Sequence, residues 1–327
     1  MIRAYFWDSD NQRLEQVARE DLARTHYREE GALWVDLEAP TEEEFQVLSS
    51  VFSFHPLALE DCRAETPLPK VEEYNDFLFI IMHAPSLARD TEPTLTREVD
   101  AFLRPHLLVT HHVQPLRSVT STREAVERSG ALVMGRGCSY LLYVIFDALV
   151  SNYFPIIDEL SESTEELEGR ALTEMGANIL PELQMQRRDV MHLKRILGPQ
   201  REVATRLSRG EFPLIAGQTL FYFRDITDAL TRINEELEML RDLIAFARDS
   251  YLGAITVRLN NIMMVLTIIA TVMMPPTLIA SIWGMNVWLP GGLKGAEGRP
   301  EAFIALMALM IAIGVGMFWW FRRRGWW

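Results

Sequence analysis

The sequence predicts an α+β membrane protein, in which an N-terminal α/β domain is followed by a long helix that continues into a first membrane span, with a second span near the C-terminus. Residues 259–293 and 302–321 contain no Asp, Glu, Lys or Arg, and each run reaches the ~20 residues that cross a bilayer. Short strand-like runs are confined to the first ~135 residues. A heptad pattern leads directly into the first apolar run.

The α/β domain is expected to occupy residues 1–137. Runs rich in Val, Ile, Phe and Leu and bounded by turn residues predict strands at residues 4–8, 32–37, 77–83, 99–105 and 106–113. Helical signals lie between these runs. Thr41 followed by three glutamates predicts a capping box, and HPLALED at residues 55–61 begins another short helix.

Residues 138–258 predict a helical region. Two amphipathic helices are expected at residues 139–172 and 180–208. Apolar residues then recur at alternating steps of four and three, which is the heptad seam of a helix pair, at Ile226, Leu230, Ile233, Leu237, Leu240, Ile244, Ala247 and Tyr251. Because no proline interrupts residues 218–274, we expect one helix of ~60 residues, ~90 Å long at 1.5 Å per residue, that enters the membrane.

The charges around the two spans predict the topology. We place the first span at residues 259–286, the connecting loop at 287–301, the second span at 302–321 and a basic tail at 322–327. The tail carries Arg322, Arg323 and Arg324, whereas the loop has no net charge. Positive charge marks the cytoplasmic side, so both termini and the large N-terminal region are expected in the cytoplasm.

Composition excludes several classes of function. The first 258 residues carry 27 basic and 43 acidic groups, a net charge of −16, which argues against nucleic-acid partners and favours cations. Cys62 and Cys138 have no CxxC spacing, so neither a disulfide framework nor a zinc knuckle is indicated. The chain has no Walker loop, GxSxG, HExxH or GxGxxG motif, which argues against an enzyme anchored in the membrane.

A stripe of polar, small and thioether residues runs along the first span. The three-four spacing there selects Asn260, Met263, Thr267, Ala270, Met274 and Thr277, whereas the other faces carry Ile, Val and Leu. Two explanations are open. The stripe mediates tight helix packing, or it turns inward in an oligomer and lines a pore, because two spans per chain enclose nothing.

Several segments resemble one family. LNNIMMVLTIIATVMMPPTLIASIWGMN, at residues 259–286, resembles the first membrane helix and GMN signature of the CorA family of divalent-cation channels. HPLALED, PKVEEYNDFLFIIM, LLYVIFDALV and FYFRD resemble cytoplasmic segments of that family in the same order. The resemblance covers most of residues 50–327.

The resemblance implies a homopentamer in the inner membrane, with a cytoplasmic α/β funnel, a stalk helix that becomes the pore-lining span and an outer ring of second spans. It implies transport of Mg²⁺, and also of Co²⁺ or Ni²⁺. The selectivity filter would be Gly284, Met285 and Asn286, with the Asn286 amides forming a ring at the outer mouth. Pore-lining roles carry over to Asn260, Met263, Leu266, Thr267, Ala270, Met274 and Thr277, and Met263 and Leu266 would form a hydrophobic constriction.

The resemblance also implies gating by cytoplasmic Mg²⁺ at subunit interfaces. The stalk partner would be Asp249 and the funnel partner Asp61, with Glu60, Asp147 and Asp225 as a second site. Two carboxylates held together repel, and a bound divalent ion removes this repulsion, so the ion would lock the closed state.

Zinc transport, with or without proton coupling, is the alternative function. The loop after GMN has no acid until Glu297, whereas many family members have an acidic loop there. A ZntB-like branch has a Val-Gly-Gly type loop and moves zinc, and Val287, Gly291 and Gly292 match it loosely. The neighbouring His111 and His112 are a weak candidate for a transition-metal site, because adjacent residues of a strand point to opposite faces.

Overall fold

The structure is a computed structural model that describes residues 1–64, 66, 68–86, 96–173, 178–215, 217–284 and 300–326. Its strands are β1 (Ile2–Asp8), β2 (Arg13–Gln16), β3 (Gly31–Glu38), β4 (Lys70–Glu73), β5 (Leu78–Pro85), β6 (Thr96–Leu103) and β7 (Leu107–His112). Its helices are α1 (Leu22–Thr25), α2 (Glu42–Phe45), α3 (Val47–Ser50), α4 (Pro56–Ala64), α5 (Arg117–Val133), α6 (Cys138–Ser151), α7 (Phe154–Thr173), α8 (Ile179–Ser208), α9 (Thr219–Trp283) and α10 (Pro300–Arg323).

The strands form one mixed sheet in the order β2-β1-β3-β7-β6-β5-β4. Only the β3–β7 pair is parallel among the described pairs. One face of the sheet packs against an apolar core to which α2, α3 and α4 contribute, and α6 packs on the other face against β5, β6 and β7. Both faces are therefore covered, which explains why the central strands are apolar along their whole length.

The five predicted strands are confirmed, and two short strands are added. β2 and β4 are the two edge strands, with the sequences RLEQ and KVEE. An edge strand faces solvent and needs no apolar run, so neither carried the pattern that revealed the others. The capping box is also confirmed, because Thr41 Oγ1 accepts from the Glu44 amide and Glu44 accepts from the Thr41 amide.

The single helix expected at residues 139–172 is wrong, because α6 and α7 are separate helices. Pro155 has no N–H and its ring clashes with the carbonyl four residues earlier, which favours a break in the helix at this position. The chain turns at Tyr153, whose amide donates to Val150 O (3.0 Å). The Tyr153 hydroxyl is fully buried and donates to His83 O (2.8 Å), which fixes the turn against β5.

Helix α9 is continuous over 65 residues, which confirms the single long helix predicted from the heptad pattern and the proline-free run to Met274; the helix also continues through Pro275 and Pro276. The eight seam residues from Ile226 to Tyr251 are all buried. Part of the seam packs on α8, where Asn234 Nδ2 donates to Leu197 O (3.3 Å) and Lys194 Nζ lies 3.1 Å from Glu238 Oε1. The seam therefore packs, at least in part, within one chain.

The chain divides into two compact units, Met1–Arg248 and Asp249–Trp327. Among the described residues, three helical stretches are long and apolar enough to cross a membrane: Cys138–Ala171, Thr219–Trp283 and Phe303–Arg323. The first is half buried inside the protein in its most apolar part, so packing on the sheet explains its composition. In the most apolar parts of the other two, only 6% and 0% of the residues are buried within the chain, which suits two membrane spans.

Candidate functional site

The membrane segment of α9 has one covered face. Ile268 is only 6% exposed, and the partly exposed residues lie on the same side of the helix: Met264, Thr271, Val272, Pro275, Pro276 and Ile279. A β-carbon built on Gly314 of α10 would lie 3.9 Å from Val272 Cγ1. This distance is ordinary van der Waals contact, so α10 packs against this face of α9.

The seven pore residues expected from the sequence lie on the uncovered side of α9. At ~100° per residue they fall roughly 80–200° around the helix from Ile268. All seven are exposed in the isolated chain, and Met263 and Met274 have 63% and 68% of their surface exposed. The stripe therefore has no packing partner among the described residues of this chain that buries it. The stripe must therefore contact either another copy of the chain or water.

Two threonines on this stripe use their hydroxyl hydrogens inside the helix. Thr267 Oγ1 donates to Met263 O and Thr277 Oγ1 donates to Met273 O, both at 2.7 Å. A hydroxyl that donates to the backbone keeps its lone pairs as acceptors. The uncovered face therefore presents acceptor oxygens, the groups that can bind the outward-pointing hydrogens of a hydrated cation.

Helix α9 runs through Pro275 and Pro276 and stops close to the GMN signature. The two prolines have no N–H, so the carbonyls of Thr271 and Val272 lose their usual helical donors. Gly284 follows the last helical residue, and its amide donates to Ala280 O (2.9 Å). Met285 and Asn286, the other two residues of the expected selectivity filter, lie outside the described residues, as does the loop at 287–299.

Asp61, the expected funnel partner for a regulatory ion, is already paired with a lysine. Lys70 Nζ of β4 lies 2.6 Å from Asp61 Oδ2 of α4 and 2.9 Å from Glu72 Oε1. Burial opposes the charged ammonium, but the hydrogen bonds to both carboxylates outweigh it and raise the pKa of Lys70. Glu60 precedes Asp61 on α4 and is exposed. Lys70 could not be predicted from local sequence patterns, because the pairing of β4 with β5 brings it to α4.

Asp147 and Asp225, two members of the expected second site, come together in one chain. Burial and then the negative charge of Asp225 raise the pKa of Asp147. A cluster of tyrosine rings adjoins them, formed by Tyr140, Tyr143 and Tyr222, whose ring centroids lie 4.9–5.5 Å apart. Burial and the two aspartates raise the pKa of Tyr143 to about 12. The exposed Asp225 carboxylate therefore repels the half-buried carboxylate of Asp147.

Asp249, the expected stalk partner, is exposed and begins the second compact unit. Asp61 belongs to the first unit. A bridge between these two residues of neighbouring subunits was expected from the family resemblance alone, and it stays a proposal.

A family model described as CorA-like Mg²⁺ transporter protein matches residues 29–323. YfjQ of Bacillus subtilis (strain 168) is 32% identical over 313 residues, which cover 96% of this chain and 93% of YfjQ. The cobalt/magnesium transport protein CorA of Thermotoga maritima is 30% identical over 281 residues, covering 86% of this chain and 79% of that protein. The zinc transport protein ZntB of Pectobacterium atrosepticum is 24% identical and covers 80% of this chain and 78% of its own length.

A solved structure has the same fold over the whole chain. The CorA magnesium transporter of Methanocaldococcus jannaschii superposes with a TM-score of 0.86 at 24% identity, covering 100% of this chain and 99% of that one. The α/β domain, the long α9 and the second apolar helix are thus the fold of a full-length CorA. With the family match over residues 29–323, the chain belongs to the family of CorA-like Mg²⁺ transporter proteins.

Proposed function

We propose that this protein is a divalent-cation channel of the inner membrane that transports mainly Mg²⁺ and also Co²⁺ and Ni²⁺. In this proposal five copies surround a pore, and both termini lie in the cytoplasm. One observation carries the proposal: the polar, small and thioether stripe of α9 lies away from the face that α10 covers. A stripe that served only to pack the two helices of one chain would lie under α10.

The chemistry of the stripe suits a hydrated ion. Mg²⁺ gives up its water ligands reluctantly, so a site for it must accept hydrogen bonds from water rather than replace that water. The oxygens of Thr267 and Thr277 are acceptors, because their hydrogens are donated to the backbone. Asn286 would add a ring of neutral amide oxygens at the outer mouth, which holds the ion less tightly than a ring of carboxylates.

Cytoplasmic Mg²⁺ is proposed to regulate this channel. An ion between Asp249 of one subunit and Asp61 of its neighbour would favour the closed state by its higher affinity for that state. Asp147 and Asp225 form a second acidic pair, in which burial and then the negative charge of Asp225 raise the pKa of Asp147. The Asp61–Lys70 ion pair adds a competitor, because the ammonium and the metal ion both bind the Asp61 carboxylate.

Zinc transport is the second candidate. It is favoured by the similarity to ZntB over 80% of the chain and by the loop after GMN, which has no acid before Glu297. An acidic loop would concentrate cations at the mouth. The absence of acids from this part of the loop sequence therefore removes one argument for Mg²⁺.

Ion flux into proteoliposomes tests both candidates. Purified protein is reconstituted, and uptake of Mg²⁺, Zn²⁺, Co²⁺ and Ni²⁺ is compared side by side while a trapped dye reports internal pH. The channel proposal predicts Mg²⁺ uptake that follows the membrane potential without proton movement. Zn²⁺ uptake that exceeds Mg²⁺ uptake and requires a pH gradient would favour the second candidate, and no uptake of any of the four ions would contradict both.

A further inference from the structure

Three buried side chains of different chemistry converge inside the α/β domain, and one of them, Cys62, directly follows Asp61 on α4. Cys62 of α4, Asp100 of β6 and His111 of β7 each offer one ligand atom, and these atoms all lie within 4.8 Å of one another. The three residues are 2%, 1% and 4% exposed. They border a cavity of about 260 Å³ in the first compact unit.

The sheet register explains why these residues meet. Asp100 and His111 are direct partners in the β6–β7 pair, so their side chains lie on the same face of the sheet. The same face receives α4, whose Cys62 belongs to the apolar core there. His112 points to the other face, where its Nε2 lies 3.2 Å from Asp36 Oδ1. The side chains of the two adjacent histidines therefore lie on opposite faces of the sheet, as the sequence predicts. His111 instead lies beside Cys62 and Asp100.

The cavity contains buried polar atoms whose hydrogen-bonding capacity is not used. Asp100 Oδ2 lies 2.8 Å from His111 Nδ1, whereas Asp100 Oδ1 has no hydrogen-bond partner among the described residues. The same holds in the described part of the chain for His83 Nδ1 and His192 Nε2, and both histidines border the cavity. Buried polar atoms in folded proteins nearly always have a partner in the protein or in ordered water, so these atoms are available to water or to a ligand that several electron-pair donors can share.

We propose that Cys62, Asp100 and His111 bind a divalent cation of the Zn²⁺ and Co²⁺ class. Thiolate, imidazole and carboxylate are the ligand types of protein zinc sites, whereas Mg²⁺ takes oxygen ligands and does not select a thiolate. Three protein ligands leave a fourth position of a tetrahedral site, for water or for a histidine at the cavity wall. This site is separate from the proposed pore, and its existence does not depend on ion conduction.

The charge distribution around the cavity agrees with a cation. Asp100 and Glu98 place two carboxyl groups on its wall. Arg97 also borders the cavity, but its guanidinium donates through Nη1 to Pro115 O (3.2 Å), which engages part of its donor capacity outside the cluster. A bound metal would link α4 to β6 and β7, and we therefore expect it to stabilise the folded domain, since a ligand bound only by the native state raises its stability.

Cobalt spectroscopy on the full-length protein in detergent tests this site. Co²⁺ bound to a thiolate gives a charge-transfer band in the near ultraviolet, which Co²⁺ held by oxygen ligands in a pore does not give. We expect the wild-type protein to show this band at one Co²⁺ per chain, with loss of the band when Zn²⁺ is added and no loss in excess Mg²⁺. Cys62→Ser should abolish the band and weaken Zn²⁺ binding by at least ~10–100-fold, since even loss of a supporting residue has that effect.

The second cysteine provides a matched control. Cys138 of α6 is equally buried, and its Sγ lies 3.9 Å from Leu33 O rather than in a group of metal ligands. Cys138→Ser should keep the cobalt band. Absence of the band in the wild-type protein, its persistence in Cys62→Ser, or its loss in a folded Cys138→Ser protein would each overturn the proposal.

A second variant and a second readout guard against misfolding. His111→Gln removes a different ligand and should also abolish the stoichiometric band. Zn²⁺ should raise the unfolding temperature of the wild-type and Cys138→Ser proteins but not that of Cys62→Ser or His111→Gln, each measured against its own metal-free sample. An equal rise in all four proteins would assign zinc to other surface groups and overturn the proposal, even if ion transport is fully confirmed.

Discussion

Lys70 Nζ lies 2.6 Å from Asp61 Oδ2, so the carboxylate proposed to bind a regulatory ion already has a cationic partner in its own chain. Lys70 also contacts Glu72, and it is therefore held between two acids. A divalent ion that binds Asp61 must displace this ammonium or share the carboxylate with it. The proposed sensor is thus a competition between the Lys70 ammonium and a soluble divalent ion, and this competition would set the Mg²⁺ concentration at which the proposed channel closes.

Removing the competitor should make the sensor more sensitive. Lys70→Gln leaves Asp61 and Glu72 without their shared cation, so we expect half-maximal inhibition of transport at an internal Mg²⁺ concentration roughly two- to fivefold lower, given that a partly exposed ion pair contributes ~1 kcal/mol or less. Lys194→Gln is the matched control. It breaks the ion pair with Glu238 and should not change the Mg²⁺ concentration that gives half-maximal inhibition. An unchanged midpoint in Lys70→Gln would show that Asp61 does not bind the inhibitory ion.

Changes at Asp249 should affect gating in opposite directions. Asp249→Asn removes one charge of the proposed bridge, so we expect weaker inhibition by internal Mg²⁺. Asp249→Lys introduces an ammonium that can pair with Asp61 of the neighbour, so this variant should stay closed when EDTA removes the metal. Flux and protease protection are measured with and without EDTA, with the exposed Asp228→Asn on the same helix as control. If both Asp249 variants gate like the parent, Asp249 has no regulatory role.

The hydrophobic constriction should depend on Met263. Met263→Ala removes a ring of thioether side chains from the uncovered face of α9, and we expect a wider, wetter constriction that leaks at high internal Mg²⁺. Met264 is the same residue type one position later, but it belongs to the covered face, so Met264→Ala should remain closed. Equal leakage in the two variants, or none in either, would place the gate elsewhere.

The Asp147–Asp225 repulsion predicts a pH-dependent stability. The folded protein raises the pKa of Asp147 above its ordinary value of 3.8, so the folded state binds this proton more tightly than the unfolded state does. Asp147 therefore costs stability as the pH rises through 3.8 toward the raised pKa, and the cost is complete above it. We expect Asp147→Asn to raise the unfolding temperature at pH 7 and to lose this advantage below pH 3.8. Asp158→Asn, at an exposed position of α7, should have no such pH dependence.

Much of the fold could be predicted from local patterns, since each depends on a periodicity that packing requires. The apolar runs of β3, β5 and β7 signal strands covered on both faces, and the seam from Ile226 to Ala247 signals a helix packed along one side. The polar stripe on α9 could also be predicted, because its residues recur at helical spacing in the sequence. The structure added that α10 covers the opposite side, which a single helix pattern cannot reveal.

The remaining features depend on contacts between distant residues or on exceptions to periodicity. The polar edge strands β2 and β4 have no apolar alternation, and α5 was missed although its buried residues lie at helical spacing. The Asp61–Lys70 pair forms because β4 returns beside α4, and the Cys62–Asp100–His111 cluster depends on the β6–β7 register. Neither group is contiguous in sequence or follows a metal-binding spacing.

Transport by Asn286→Ala tests the central claim most directly, because the proposed pore ends in a ring of this amide. Uptake of Mg²⁺ into proteoliposomes is compared between the parent and the variant, after size-exclusion chromatography has shown that both assemble alike. Replacing the amide removes the acceptor oxygens that would hold the hydrated ion, so we predict that uptake is abolished or greatly reduced. Parental uptake by a correctly assembled Asn286→Ala protein would contradict the proposed filter.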